Sequence, residues 1–295
     1  MQIGAIRDRL SRRVPVLDPR PAILLTVLVF LVPVAFVLVV PHPLEQPLGV
    51  DFTLYRDVTA RWLGGGAYFE PYQVAGPYEI RTGDVLYPPV ALWLFVPFAL
   101  GSGGAVAAVS AIGWWVLPLL ITAVVVAWLR PRPVFWPLIA LCLANPTTLL
   151  KIWTGNPVIW AMAAMALAVA GGSRFAAPFV LLKPSLAPFA LFGARRRSWW
   201  LGGAVVLALS LPFGALWANW IASVVNSRGG GPLYSALEIP MLLLPLVAWL
   251  GRTRGGSPRP APRPAPRPAS PGRPDVTLSR RGGRDPRGGA SGSPR

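Results

Sequence analysis

AILLTVLVFLVPVAFVLVV, residues 22–40, is nineteen positions without a charge. As a helix it is long enough to cross about 30 Å of hydrocarbon. Arg7, Arg9, Arg12, Arg13 and Arg20 precede it. By the positive-inside rule they hold the N-terminal arm in the cytoplasm and send residues 41–87 outside. The run is longer than the core of a signal peptide, and VVPHPLEQPLG after it offers no small-x-small cleavage pattern, so a retained helix is expected.

Further apolar segments lie at 88–100, 105–129, 134–152, 157–171, 175–193, 198–216 and 236–251. The chain is 54% hydrophobic and only 13% charged, where a soluble domain carries roughly a quarter charged residues. The expected fold class is an all-α polytopic membrane protein, a helical bundle of about 6–8 transmembrane segments. Three regions follow: a basic cytoplasmic arm (1–20), a membrane domain (21–251) and a Pro-, Arg- and Gly-rich tail (252–295). The tail, with its APRP repeats, cannot bury enough apolar surface to offset its ordering entropy and is expected to be disordered.

Two segments complicate a simple count. Pro88–Leu100 is short for a crossing and reads as re-entrant or interfacial. If it dips and returns, Arg130 and Arg132 fall on the cytoplasmic side. Residues 175–193 hold Lys183-Pro184 at their centre. One straight crossing would send Arg195–Arg197 outside, whereas two halves meeting at Lys183 would keep them inside.

The net charge of +17 is concentrated at the ends. Residues 1–20 carry +3, and residues 252–295, with eleven Arg against two Asp, carry +9. That pattern fits anionic lipid headgroups and orientation control. No aromatic residues interleave the tail arginines, so a nucleic-acid platform is not expected. The tail is also a candidate docking segment for a protein partner. One His (His42) and one Cys (Cys142) exclude a disulfide framework and a multi-Cys/His zinc centre. No metal is expected, and Cys142 reads as a small packed hydrophobe.

Acids are scarce. Of eleven, six lie in the first external loop: Glu45, Asp51, Asp57, Glu70, Glu79 and Asp84. Only Glu238 occurs in the rest of the membrane domain, so carboxylate chemistry is expected from that loop. Asp51–Leu63 reads as a short amphipathic helix, with Phe52, Tyr55, Thr59 and Trp62 at 3-4-3 spacing and Gly64–Gly66 ending it. Asp51 is placed either to cap that helix or to act chemically. Asp57 is placed to pair with Arg56 or, at i,i+4, with Arg61. Four of the six tyrosines (Tyr68, Tyr72, Tyr78, Tyr87) crowd the same loop, suiting headgroup anchoring or sugar stacking. Against twenty-six Arg there are two Lys. Lys151, at a segment end, is expected to snorkel to the interface. Lys183, in mid-segment, is a functional-site candidate because an intramembrane ammonium is costly.

In chain order these features are one span, an Asp-led helix at Asp51, Gly66-Ala67-Tyr68 and Tyr87-Pro88-Pro89. Then come Asn145-Pro146, Gly155-Asn156, Lys183-Pro184 and the Arg195–Arg197 cluster. The order resembles glycosyltransferase family 87, GT-C-class membrane enzymes that include polyprenol-phosphate-mannose-dependent α-mannosyltransferases. The likeness covers residues 20–225. It implies a GT-C-like bundle, a polyprenyl-phosphate sugar donor (mannose) and inverting transfer to an envelope glycolipid or glycan acceptor outside the membrane. No nucleotide or other cofactor is implied. Asp51 falls where the family's catalytic Asp stands. Lys183, Arg56 and Tyr55 are candidates to hold the donor and its lipid phosphate. Tyr68, Tyr87, Asn145, Gly155 and Asn156 are candidates to line the substrate site. Family members commonly carry Gly-Gln-x-Asn where this chain has Gly155-Asn156-Pro157-Val158, and they run on for further spans. The alternative expectations are a shortened, non-catalytic relative that assists envelope assembly, and a transporter or flippase.

Overall fold

The computed structural model describes residues 19–39, 47–81, 83–100, 104–171, 173–228 and 236–253. All but the last two residues of the 1–20 arm, His42, Glu45 and all but the first two residues of the 252–295 tail lie outside the described residues. The described chain is mostly helical. Its helices are α1 (Pro19–Val39), α2 (Val50–Leu63), α3 (Pro71–Ala75), α4 (Leu92–Leu100), α5 (Gly104–Leu129) and α6 (Trp136–Ala144). They continue as α7 (Pro146–Thr154), α8 (Val158–Ala170), α9 (Ala187–Ala190), α10 (Arg197–Ser210), α11 (Leu216–Asn226) and α12 (Ile239–Gly251). Two short parallel strands, β1 (Tyr78–Glu79) and β2 (Ser227–Arg228), tie the first loop to the end of α11.

Ala111–Leu129 within α5 is long and apolar enough to cross a membrane. The pairs Pro133–Ala144 with Pro146–Thr154, bent by 52°, and Arg197–Phe213 with Leu216–Asn226, bent by 94°, raise that number to three if each is one span. The helices are shorter than the apolar runs because Pro and Gly interrupt them. Asn145 must be extended ahead of Pro146 (ψ 129), since the proline ring disfavours the helical region for its predecessor. Pro212 and Gly214 stand at the turn from α10 into α11. Large apolar side chains face outward along these helices, among them Leu24, Leu31, Ile112, Val124, Leu207 and Leu250. So much exposed apolar surface calls for hydrocarbon around it.

The described unit has two chemically distinct ends. At one, the turn after α5 meets the turn after α12: Arg132 N donates to Gly251 O at 2.9 Å, and Thr253 Oγ1 to Arg130 O at 2.9 Å. Arg174, just past α8, lays its guanidinium over the Phe192 and Trp249 rings (4.7 and 5.6 Å) and donates to Ala168 O and Gly171 O. At the opposite end α2, the turn before α8, the Lys183–Ser185 turn and α11 surround a cavity described below.

Residues 175–193 leave the first end, reach that cavity and return. They form 3₁₀ turns at Ala177–Leu182 and Pro184–Leu186, then α9, broken at an extended Lys183 (φ −127°, ψ 91°). The break follows from Pro184. The base is closed where Gly193, at φ +85°, packs on the Arg174 side chain. Of the two arrangements expected from sequence, this is the one with halves meeting at Lys183. The segment 88–100 also stays at the cavity end. Phe95 of α4 stacks on Tyr55 (5.4 Å), and Phe98 meets Phe52 edge-on (5.6 Å).

The hairpin is clamped to α10 at Gly202. A Cβ there would lie far inside contact distance of the Phe175 carbonyl oxygen, a backbone atom that cannot swing away. At Gly203 the nearest neighbour is a Trp199 ring carbon at 3.9 Å. Gly202→Ala is expected to cost about 3 kcal/mol through overpacking. Gly203→Ala is expected to be neutral or stabilising by a few tenths of a kcal/mol. Thermal unfolding of the two variants in one detergent checks the contrast.

Candidate functional site

Helix α2 carries the central residue. It starts after Gly49, which takes the left-handed region (φ +74°) and donates its N–H to Trp153 O at 3.0 Å. No side chain caps it. Phe52, Tyr55, Val58 and Thr59 are its buried face, close to the stripe predicted from the 3-4-3 spacing. Phe52 packs among Phe95, Trp114 and Trp115, fixing the rotation of the helix and with it the direction of Asp51.

Asp51 therefore sits in the first turn but does not cap it. Its Oδ2 accepts two hydrogen bonds from the turn after α7, from Thr154 Oγ1 at 2.8 Å and from Asn156 Nδ2 at 2.7 Å. The orientation of the Asn156 amide is settled by its surroundings. Its Oδ1 faces the Val158 N–H (3.2 Å), which can only donate, and accepts from Tyr87 Oη at 2.7 Å. Its Nδ2 is thus committed to Asp51. The turn itself depends on Gly155, which is left-handed (φ +69°) and so close to Trp115 and Phe52 that a Cβ would meet them at 2.7 and 2.9 Å. With both donors on Oδ2, Asp51 Oδ1 has no partner among the described residues.

Asp51 lines a cavity of about 1440 Å³, together with Tyr55, Tyr87, Asn156, Lys183 and Trp220. Lys183, at the hairpin tip, places its ammonium 2.6 and 2.5 Å from the two oxygens of Glu238. Lys151 Nζ stands 3.5 Å from Glu238 Oε1. The Glu238 side chain is 1% exposed; a carboxylate so buried needs partners of opposite charge. Tyr87 joins the two halves of the site. Its hydroxyl holds Asn156, and its ring lies 5.1 Å from the Lys183 ammonium, within cation–π range.

The structure thus brings Asp51, Tyr55, Tyr87, Asn156 and Lys183 to one cavity and sets the other sequence candidates apart from it. Arg56, one residue past Tyr55 and so about 100° round the helix, borders a second cavity. This is an apolar groove of about 760 Å³ walled by Phe52, Ile112, Trp115, Leu150 and Trp153. The two cavities share Leu48 and Thr53. Tyr68 is buried behind Tyr87, donating to its carbonyl at 3.4 Å; burial pushes its phenol up. Asn145 caps α7, accepting from Thr147 N at 3.0 Å. Gly155 shapes the turn, and its carbonyl accepts from Trp114 Nε1 at 2.8 Å.

One expectation is corrected. Lys151 does not snorkel outward; it turns inward to Glu238, because a buried carboxylate attracts it more than solvent at the helix end. Of its two expected partners Asp57 takes Arg56 (2.7 Å), while Arg61 goes to Glu70 (2.7 Å) and Ala67 O. The place of Glu238 at the site, entering from the head of α12 and binding both lysines, was not anticipated. Thr154 was not anticipated either. The available signal for Glu238 was its isolation: one acid at the start of an apolar segment, in a chain with two lysines in apolar surroundings.

Comparison with known protein-family models, with curated proteins and with solved structures returns no match.

Proposed function

We propose that this protein is a membrane glycosyltransferase of the GT-C type, moving a sugar, mannose by the resemblance, from a polyprenyl phosphate to a hydroxyl of an envelope glycolipid or glycan. The observation that carries the reading is the pairing, across one cavity, of a positioned carboxylate (Asp51) with an ammonium held at a hairpin tip (Lys183). Asp51 Oδ1 takes the proton of the acceptor hydroxyl as that oxygen attacks the anomeric carbon. The bond from that carbon to the phosphate oxygen breaks, and its electron pair leaves with the lipid phosphate. Lys183, with Lys151 beside it, offsets the charge that develops there. A single displacement of this kind inverts the anomeric centre. Tyr55, Tyr87 and Trp220 offer ring faces for the sugar, and the adjoining apolar groove with Arg56 at its border suits a lipid chain.

The same reading makes the chain a multi-pass protein with two re-entrant segments, 88–100 and 175–193. The Arg-rich end is cytoplasmic and the cavity external, as the positive-inside rule requires.

The test is transfer by the full chain reconstituted in vesicles containing polyprenyl-phosphate mannose labelled in the sugar and an envelope glycolipid extract. Label is expected to move into glycolipid without any nucleotide sugar. Label that stays on the donor, with an envelope enzyme co-purifying, would favour the assembly-partner reading. Movement of intact donor across the bilayer without transfer would favour a flippase.

A further inference from the structure

The Arg-rich end has features that sugar transfer does not use. Arg130, directly after α5, and Arg174, four residues past α8, take the left-handed region, at φ 48° and 53°, which is uncommon and strained for a side chain of this size. Both are held there: Thr253 binds the Arg130 carbonyl, and Arg174 reaches back to carbonyls at the end of α8. Arg252 stacks on Trp249 at 4.1 Å, the ring that Arg174 also approaches. Arg195, Arg196 and Arg197 stand exposed at the mouth of the hairpin. Arg196 is near enough to Arg174 for the two charges to repel.

No described acid pairs with Arg130, Arg174 or Arg195–Arg197. Asp51, Asp57, Glu70 and Asp84 line the far cavity, Glu79 lies in the strand beside it, and Glu238 is bound to Lys183. Trp128, Trp136 and Trp200 are exposed beside the arginines, at the end of α5, the start of α6 and the start of α10. Tryptophan at such a level marks the headgroup layer of a membrane. Guanidinium groups at that level meet phosphate with a forked geometry that an ammonium lacks.

From this arrangement we infer that the Arg130–Arg174–Arg195–Arg197 face is a docking surface for anionic phospholipid headgroups. It binds lipids of one leaflet at the rim of the hairpin that carries Lys183 at its other extremity. The surface acts whether or not the cavity transfers sugar.

The experiment is native mass spectrometry of the full chain released from vesicles of equal phosphatidylglycerol and phosphatidylcholine. The wild type is expected to retain phosphatidylglycerol in clear excess. The R195Q/R196Q/R197Q variant is expected to lose that preference by roughly tenfold or more, from three arginines removed near the surface. An R130Q/R132Q variant, altered in a different loop, is expected to weaken it in the same direction and serves if the triple variant does not fold. Equal retention of the two lipids by wild type overturns the proposal. So does an undiminished preference in the variants. Displacement of the lipid by millimolar inorganic phosphate overturns it too, in favour of a free-phosphate site.

Discussion

Asp51→Asn is expected to lower sugar transfer by about 10²- to 10⁴-fold, the contribution of a general base, while the protein inserts and folds as before. Asparagine keeps an oxygen where Oδ2 accepts from Thr154 and Asn156, so the cradle survives. What is lost is the ability to take a proton at the second position. Asp57→Asn is the internal control. That carboxylate is paired with Arg56 on the surface, where such pairs are worth little, and its loss should leave transfer within about twofold. Measuring both variants at saturating donor separates a chemical role from a binding one. An Asp51→Asn protein that still turns over at a tenth of the wild-type rate or better removes Asp51 from the mechanism.

Glu238→Ala is expected to be the most destabilising single change at the site. Two ammonium groups lie within 3.5 Å of this one carboxylate, and removing one member of a buried ion pair costs about 3–5 kcal/mol because the remaining charge is stranded. The triple variant Glu238→Leu, Lys183→Met, Lys151→Met should recover most of that loss, since replacing a whole buried ion cluster by apolar groups of similar size is often neutral. It should nevertheless transfer no sugar, because the cation opposite Asp51 is gone. Thermal unfolding and transfer assays on the two proteins test this together. If the single variant is as stable as wild type, the ion pair is not what holds the hairpin tip.

Local rules foretold some of this molecule and long-range ones hid the rest. Helix α2 was readable because its apolar stripe and terminal glycines are local features. So was the break at Lys183, which Pro184 imposes on its own predecessor. The partner of Lys151 was not readable: its choice of Glu238 depends on an element met almost ninety residues later. Tyr55 and Arg56 looked equivalent as neighbours in sequence. One helical step sends them to different cavities. Asn145 and Asn156 each precede a proline and each accept from the backbone N–H two residues on, yet only Asn156 also holds a carboxylate, because α2 comes to rest against it.

Lys183 and Glu238 are separated by 55 positions. At about 5–20 residues per second, a ribosome needs roughly 3–11 s to make the second after the first. For that interval the nascent hairpin holds an ammonium with its chief counter-ion still unmade, so the charge at its tip is balanced only when the head of α12 emerges. A chain stopped before residue 238 would bring Lys183 to the membrane without this carboxylate, so folding of the hairpin tip is tied to completion of a distant part of the chain.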